Sequence, residues 1–195
     1  MSRQDLTWIP ASAQRRVRWK NGAGWTTEIA ARPAEEFDWR LSVAEIETDC
    51  DFSRFPGIDR TILAISGQGF TLFIADDPPV HLTPGGRPHA FAGDLPARCE
   101  VRGPGRDFNV MTRRGRYTHT VGSLDLRDEL ELLPDPATTT ALYILDGHAK
   151  LDDREAAPGD CVLLEPGHRP LSIRGAAALI LVRLTSSTGS DGTTS

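Results

Sequence analysis

Two segments place arginine beside small polar residues in patterns that suit anion binding. In Trp39-Arg40-Leu41-Ser42-Val43-Ala44, alternate residues of a strand share a face, so Arg40 and Ser42 face one way and the large apolar residues the other. Arg60 opens a later apolar run. Arginine holds carboxylates through charge-assisted hydrogen bonds, and hydroxyls orient such a ligand. We therefore predict a carboxylate site that includes Arg40, Ser42 and Arg60, with a solvent-facing Arg40 as the alternative.

A second set of candidate ligands lies in Trp19-Lys20-Asn21-Gly22-Ala23-Gly24-Trp25-Thr26-Thr27-Glu28. Lys20 offers a cation, whereas Asn21 and Thr26 offer neutral hydrogen-bonding groups. Glycine weakens a strand and marks a bulge or a close approach to another backbone or a ligand. The segment predicts either a ligand-lining loop or an edge strand with a glycine bulge.

The segment Gly105–Gly115 carries a third polar set. If it is a strand, Asp107, Asn109 and Met111 share a face. Asp and Asn are disfavoured in strands, so a polar site or an edge must compensate. We take Asn109 as a ligand-binding residue and Asp107 as a candidate acid or base.

Other residues are assigned more loosely to the same site. Glu28 and His89 join Asp107 as candidate acid or base residues, and Trp25 and Phe55 are expected to form an apolar wall. The loop around Phe55, which is rich in Phe, Pro and Gly, is expected to border a pocket mouth. Asp59 is either a partner of Arg60 or a turn residue.

The elements that must position these residues are predicted to be strands. Short apolar runs separated by Gly- and Pro-containing turns are typical of an all-β sandwich or barrel. Ile62–Gln68 resembles Leu142–His148, and each is followed by a Gly-Asp pair that opens another apolar run. This faint repeat suggests two fused antiparallel jelly-roll β-barrels of the cupin type, joined near residues 115–135, with chance similarity between two β-rich halves as the alternative.

We predict an N-terminal barrel at residues 1–115 that carries the ligand site, a smaller barrel at 116–184 and a disordered tail at 185–195. The candidate strands are Trp39–Ile46, Thr61–Ser66, Phe70–Ile74, Cys99–Arg102, Phe108–Thr112, Ala141–Leu145, Cys161–Leu164, Leu171–Ile173 and Ala177–Leu184. Asp125–Leu133 fits a helix or a strand pair equally well.

The histidine pattern predicts that no metal is bound. Cupin metal sites need His-x-His with a nearby Glu, and none of the five histidines has that spacing. We expect neither a metal nor another cofactor.

Composition excludes several partners. The net charge of −5 disfavours nucleic acid and anionic membrane surfaces, and no apolar run is long enough to span a bilayer. Three widely spaced cysteines indicate reduced thiols in a cytoplasmic protein. A homodimer is compatible with the sequence.

Taken together, these motifs resemble the HutD/Ves family over about residues 5–184. The matching strings are Trp19-Lys20-Asn21-Gly22, Thr27-Glu28-Ile29, Trp39-Arg40-Leu41-Ser42, Phe52-Ser53-x-Phe55-Pro56-Gly57-x-Asp59-Arg60, Phe91-x-Gly93-Asp94 and Asp107-Phe108-Asn109-Val110-Met111-x-Arg113-Arg114. The resemblance implies a bicupin of the RmlC-like cupin superfamily without the cupin metal ligands. It also implies a link to histidine utilisation. Ala23 departs from the family pattern, which often has a third glycine there.

The resulting hypothesis is a metal-free accessory or regulatory protein that binds a small carboxylate such as urocanate or formylglutamate. The alternative is a metal-free enzyme, of isomerase or epimerase type, that acts on a small acid through a general acid and base. A third interpretation is a structural or interaction protein without a small ligand.

Overall fold

The computed structural model describes residues 6–19 and 24–187, and these residues fold almost entirely into antiparallel strands. The short helical turn in this part of the chain is a 3-10 turn at Ala11–Ala13. The predicted all-β class is therefore confirmed. No helix in the described ranges has the length and apolar character needed to cross a membrane.

The strands are numbered in chain order. They are β1 (Thr7–Ile9), β2 (Arg15–Arg18), β3 (Gly24–Arg32), β4 (Trp39–Ile46), β5 (Cys50–Phe52), β6 (Ile58–Ser66), β7 (Phe70–Ile74), β8 (Val80–Leu82), β9 (His89–Ala92), β10 (Ala97–Val101), β11 (Gly105–Arg113), β12 (Tyr117–Leu126), β13 (Glu129–Leu132), β14 (Thr138–Leu151), β15 (Arg154–Ala156), β16 (Cys161–Leu164) and β17 (Leu171–Ser186).

The described chain divides into two compact units. The central unit is Gln14–Arg114, and the terminal unit combines the described residues before Gln14 with those after Arg114. The sequence assigned the first residues to the N-terminal barrel, whereas β1 pairs with β16 and so belongs to the terminal unit. A three-residue strand carries too little local pattern to reveal such a distant partner.

The central unit is a sandwich of two antiparallel sheets with strand orders β2-β3-β4-β11-β6-β9 and β5-β10-β7-β8. Apolar residues of both sheets, among them Ile46, Ile62, Leu72 and Leu82, are buried together in one cluster. Strand β4 has the predicted bounds Trp39–Ile46, and its alternation places side chains on two buried faces.

The terminal unit has one sheet of order β1-β16-β14-β17-β12, with β13 on β17 and β15 on β14. Asp125–Leu133 forms strand residues of β12 and β13, not a helix. The two runs predicted at Leu171–Ile173 and Ala177–Leu184 form the single strand β17, which extends to Ser186 and so into the predicted tail. Residues 188–195 lie outside the described ranges.

Asp146-Gly147 is a dipeptide that sequence alone predicts as one of the turns between strands, but that prediction is wrong, because both residues lie inside β14. The register shifts between Ile144 and Asp146, and Gly147 has φ 82°. A Cβ at Gly147 would lie 2.3 Å from the carbonyl oxygen of Ala176. The glycine therefore marks a bulge with close backbone approach, which a turn dipeptide resembles in sequence.

Candidate functional site

The register of the β2-β3-β4-β11-β6-β9 sheet aligns the predicted site residues in rows on one face. Directly opposed residues of antiparallel strands point to the same side of the sheet. The first row across the strands contains Arg60, Met111 and Arg40. The second contains Asn109, Ser42 and Glu28, and the third contains Asp107, Ala44 and Thr26. Strand alternation in three separate segments thus brings the polar sets together.

These rows line a cavity of about 670 Å³ in the central unit. Among its lining residues are five of the predicted ligand-binding residues, Thr26, Arg40, Ser42, Arg60 and Asn109. The candidate acid or base residues Glu28 and Asp107 line it as well. Lys20 and Asn21 lie outside the described residues.

Arg60 is buried inside this cavity by aromatic rings. Only 5% of the residue is exposed, and its Cζ lies 5.4, 5.4 and 5.0 Å from the ring centroids of Phe52, Phe55 and Phe91. Its Nη1 donates to the Ser53 carbonyl oxygen at 3.4 Å, whereas its buried Nε has no hydrogen-bond partner among the described residues. Ring faces attract the cation but leave that N–H donor unused.

Burial is the main influence on the charge of Arg60. Desolvation lowers the pKa of the guanidinium from 12.5 to about 10, which the charge of Asp107 partly offsets and the like charge of Arg40 reinforces. Arg60 therefore stays protonated at neutral pH in a setting that penalises its charge. An anion placed in the cavity would relieve that penalty.

Asp107 is fully buried at 0% exposure, and burial raises the pKa of its carboxyl from 3.8 to about 7. Asn109 Nδ2 donates to Asp107 Oδ1 at 3.4 Å. Asp107 Oδ2 and Asn109 Oδ1 have no hydrogen-bond partner among the described residues. Near pH 7 this carboxyl can both hold and release a proton.

Arg40 differs from Arg60 in that it already has an acidic neighbour. Its Nε lies 3.0 Å from Glu28 Oε2, but the N–H does not point at that oxygen in hydrogen-bond geometry. The Arg40 side chain is 18% exposed and that of Glu28 is 37% exposed. The pair is open to solvent, so Arg40 can turn toward a ligand without leaving a buried charge behind.

Two sequence-based assignments differ from the structure. His89 is not among the described residues that line the cavity, and its ring instead stacks against Phe91 at a centroid distance of 6.3 Å. Trp25 lies on the other face of β3, where the guanidinium carbons of Arg16 and Arg18 approach its ring at 4.2 and 4.9 Å. Trp25 is therefore wrong as a wall residue.

The apolar wall contains Phe52, Phe55 and Trp19 instead of Trp25. Trp19 Nε1 donates to Thr26 Oγ1 at 2.7 Å, which fixes that hydroxyl at the cavity edge. Asp59 does not pair with Arg60. Its Oδ1 accepts a hydrogen bond from Arg114 Nη2 at 2.7 Å.

Sequence reasoning also missed the contribution of β2. Arg15 and Val17 line the cavity, and Arg15 lies opposite Glu28 in the sheet. Three arginines in four residues leave Arg15-Arg16-Val17-Arg18 without the apolar alternation that marks a strand, so sequence alone offered no signal for it.

Comparison with known proteins identifies the family. The sequence matches the family HutD over residues 11–181. The chain belongs to the HutD family. It is 31% identical over 191 residues to an uncharacterized 21.2 kDa protein in the hutC 3' region of Pseudomonas putida, covering 93% of this chain and 98% of that one. It is also 31% identical over 167 residues to Protein Ves of Cronobacter sakazakii, covering 84% and 89%.

Solved structures place the HutD chain among cupin folds. HutD from Pseudomonas fluorescens matches with a TM-score of 0.80 and 28% identity, over 93% of this chain and 99% of that one. Oxalate decarboxylase of Bacillus subtilis matches with a TM-score of 0.66 at 9% identity, over 95% and 78%, which shows the fold alone. The predicted family and the predicted bicupin fold are both confirmed.

The cavity of this HutD chain does not suit the divalent metal that many cupins hold. None of the five histidines is among the described residues that line it, and its lining includes the arginines Arg15, Arg18, Arg40 and Arg60. No group of three His, Cys, Asp or Glu residues within the described ranges is arranged to hold a metal ion. Guanidinium groups repel a cation, and imidazoles are the ligands a cupin metal requires.

Proposed function

We propose that this HutD-family protein binds a small carboxylate in the central cavity. The observation that carries the proposal is that Arg40 and Arg60 face one cavity and that each has a buried N–H without a hydrogen-bond partner among the described residues. Buried polar groups are normally satisfied, and an unsatisfied charged donor costs free energy. A carboxylate would supply acceptor oxygens for both donors and a negative charge close to Arg60.

The orphaned acceptors suggest what the rest of the ligand must carry. Asn109 Oδ1 lies on the same face as the arginines and lacks a donor, as does Asp107 Oδ2. A ligand that carries an N–H group as well as a carboxylate would satisfy both ends of the site. Urocanate, with an imidazole, and formylglutamate, with an amide, have this combination.

The physiological role we propose is an accessory or regulatory one linked to histidine utilisation. The Pseudomonas putida relative is named for its position in the hutC 3' region, which supports this context. A binding protein needs a selective cavity but no activated nucleophile, and the arrangement of arginines, amide and hydroxyl meets that need.

Titration calorimetry of the full chain with formate, glutamate, histidine, urocanate and formylglutamate tests the proposal. We expect one site per chain for urocanate or formylglutamate, and a loss of affinity in Arg40→Gln. A charge-assisted hydrogen bond contributes about 1.5–3 kcal/mol, so the loss should be roughly 10- to 150-fold. Thermal unfolding should change little, because the Glu28 left behind is solvated.

The matched control is Arg174→Gln. Arg174 is an exposed arginine in a similar ion pair, with its Nε 2.8 Å from Glu129 Oε1, and it lies in the terminal unit. Its replacement should leave ligand affinity unchanged. Absence of binding for all five compounds, or an equal loss in both variants, would refute carboxylate binding by Arg40.

A catalytic function is the second candidate, and the pKa of about 7 at Asp107 favours it. A carboxyl that titrates near neutral pH can take a proton from a bound acid and return it, as an isomerase or epimerase requires. Such a base would exchange a carbon-bound hydrogen of the ligand with deuterium from heavy water. Exchange that is catalysed by the wild type and lost in Asp107→Asn would establish this alternative.

A further inference from the structure

Two cysteines lie directly opposite each other beside the cavity. Cys50 of β5 and Cys99 of β10 are register partners in an antiparallel pair, and their Sγ atoms are 3.5 Å apart. Opposed residues in such a pair have Cα atoms about 4.5–5.5 Å apart. That spacing falls within the range of about 4.4–6.8 Å that disulfides require. The register of the two strands is therefore compatible with a bond between the two sulfurs.

The two thiols have different environments. Cys50 is half-buried on an edge strand, whereas Cys99 is only 1% exposed. The contact between the two sulfurs lowers the pKa of Cys50, and the same contact together with burial raises the pKa of Cys99. The more accessible sulfur is thus the one that is more readily a thiolate, which is the reactive form.

The pair is also connected to the cavity wall. Asp51 and Phe52 follow Cys50 directly and line the cavity, and Ser53 accepts a hydrogen bond from Arg60. The negative charge of Asp107, which lines the cavity, raises the pKa of both thiols, so the cysteine pair lies close enough to interact with it electrostatically. β5 has three residues and pairs with β10 alone within the described sheet, so this wall is held by few hydrogen bonds.

We propose that Cys50 and Cys99 form a reversible disulfide that responds to peroxide and fixes the cavity wall. The Cys50 thiolate attacks hydrogen peroxide, which breaks the O–O bond and gives a sulfenic acid and, after protonation, water. The Cys99 sulfur then attacks the Cys50 sulfur, and the displaced hydroxyl leaves with the Cys99 proton as a second water. Two thiols lose two electrons in total and peroxide gains them, and a dithiol reductant reverses the reaction.

Cys161 provides an internal control for this chemistry. It is fully buried in the terminal unit, and burial raises the pKa of its thiol to about 12, so it should stay reduced under the same treatment. Cys161→Ser should therefore oxidise like the wild type. Cys50→Ser and Cys99→Ser remove one partner each and should form no internal crosslink.

The test treats the reduced full chain with hydrogen peroxide and reads intact mass, peptide mapping and amide hydrogen exchange. We expect a loss of two hydrogen atoms, a peptide crosslinked between Cys50 and Cys99, and full reversal by dithiothreitol. Exchange at residues 50–55 should slow by about 10-fold or more in the oxidised protein, and the Tm should rise by about 5 °C.

Oxidation of Cys50 to a sulfinic acid without a crosslink, a crosslink that involves Cys161, or unchanged exchange at residues 50–55 would overturn the proposal. These measurements need no ligand, so they stand apart from carboxylate binding. If the proposed function holds, the oxidised protein should bind its carboxylate more tightly, because the disulfide fixes the cavity wall before the ligand binds.

Discussion

Asp107 combines complete burial with an ionisable carboxyl, and this makes folding stability depend on pH. Burial raises the pKa of the group from 3.8 to about 7, while Arg60 and Asn109 only partly oppose the effect. At a pH between these two pKa values, the Asp107 carboxyl holds a proton in the folded protein that it has released in the unfolded chain. The contribution of Asp107 to stability therefore falls as the pH rises from about 4 to about 7, and it is constant above that range.

Asp107→Asn should remove this dependence, because the amide resembles the protonated carboxyl in shape and carries no charge. The free energy of unfolding, measured with denaturant at about pH 5 and about pH 8, should drop between these two pH values by up to about 3 kcal/mol more in the wild type than in the variant. An equal drop in both proteins would show that Asp107 ionises as freely when folded as when unfolded.

Individual residues were predictable where a strand pattern fixed their direction. Period-two alternation placed Arg40 beside Ser42 and Asp107 beside Asn109, and both pairs face the cavity. The face of the sheet on which the Trp25 side chain lies was not predictable, because the sequence around it did not establish a strand register. His89 and Phe91 share a face of β9, so their stacking follows from strand alternation. How far the cavity extends along that face depends on distant strands, which local sequence does not encode.

At the scale of elements, the start of β3 depends on a close backbone contact. A Cβ at Gly24 would lie 2.1 Å from the carbonyl oxygen of Glu45 on β4. Gly24→Ala should therefore push the two strands apart next to the cavity and lower the free energy of unfolding by about 1–3 kcal/mol. Chemical denaturation measures this loss.

Gly122→Ala in β12 is the control, since a Cβ there meets nothing within 4 Å and the glycine does not have a positive φ. That variant should be neutral or more stable by about 0.4–1 kcal/mol, because alanine restricts the unfolded chain. A Gly24→Ala protein as stable as its Gly122→Ala counterpart would contradict the close approach.

Strands with clean alternation or clear flanking turns were found from sequence with their bounds nearly intact. β4, β7 and β16 have the bounds predicted for them. β17 was predicted as two strands and β14 only as Ala141–Leu145, because a glycine within a strand has the same sequence signature as a turn. β2 was missed because arginine dominates its composition.

At the scale of the whole molecule, the terminal unit depends on a strand from the start of the chain. Trp8 of β1 lies opposite Val162, packs on the apolar core of that unit and contacts Arg154, whose Cζ lies 4.0 Å from its ring. Trp8→Ala should cost about 2–3 kcal/mol of stability in this unit, somewhat less than a fully buried tryptophan would.

Amide hydrogen exchange of the Trp8→Ala protein shows which strands lose stability. Protection should drop in β14 and β16, while the strands of the central unit and the affinity for a carboxylate stay as in the wild type. A uniform drop across both units would mean that they unfold as one cooperative body. The two-barrel organisation was predictable from the repeated strand and turn pattern, whereas the placement of β1 was not, because pairing between distant segments leaves no local trace.

The pairing of Thr7 with Leu163 also has a consequence for synthesis on the ribosome. The central unit is one continuous segment, so all of its strands are available once Arg114 has left the exit tunnel. β1 emerges before any of them, yet its partner is translated near the end of the chain. The nascent protein must therefore carry an unpaired apolar strand with an exposed tryptophan through most of translation, which is the kind of segment that chaperones recognise.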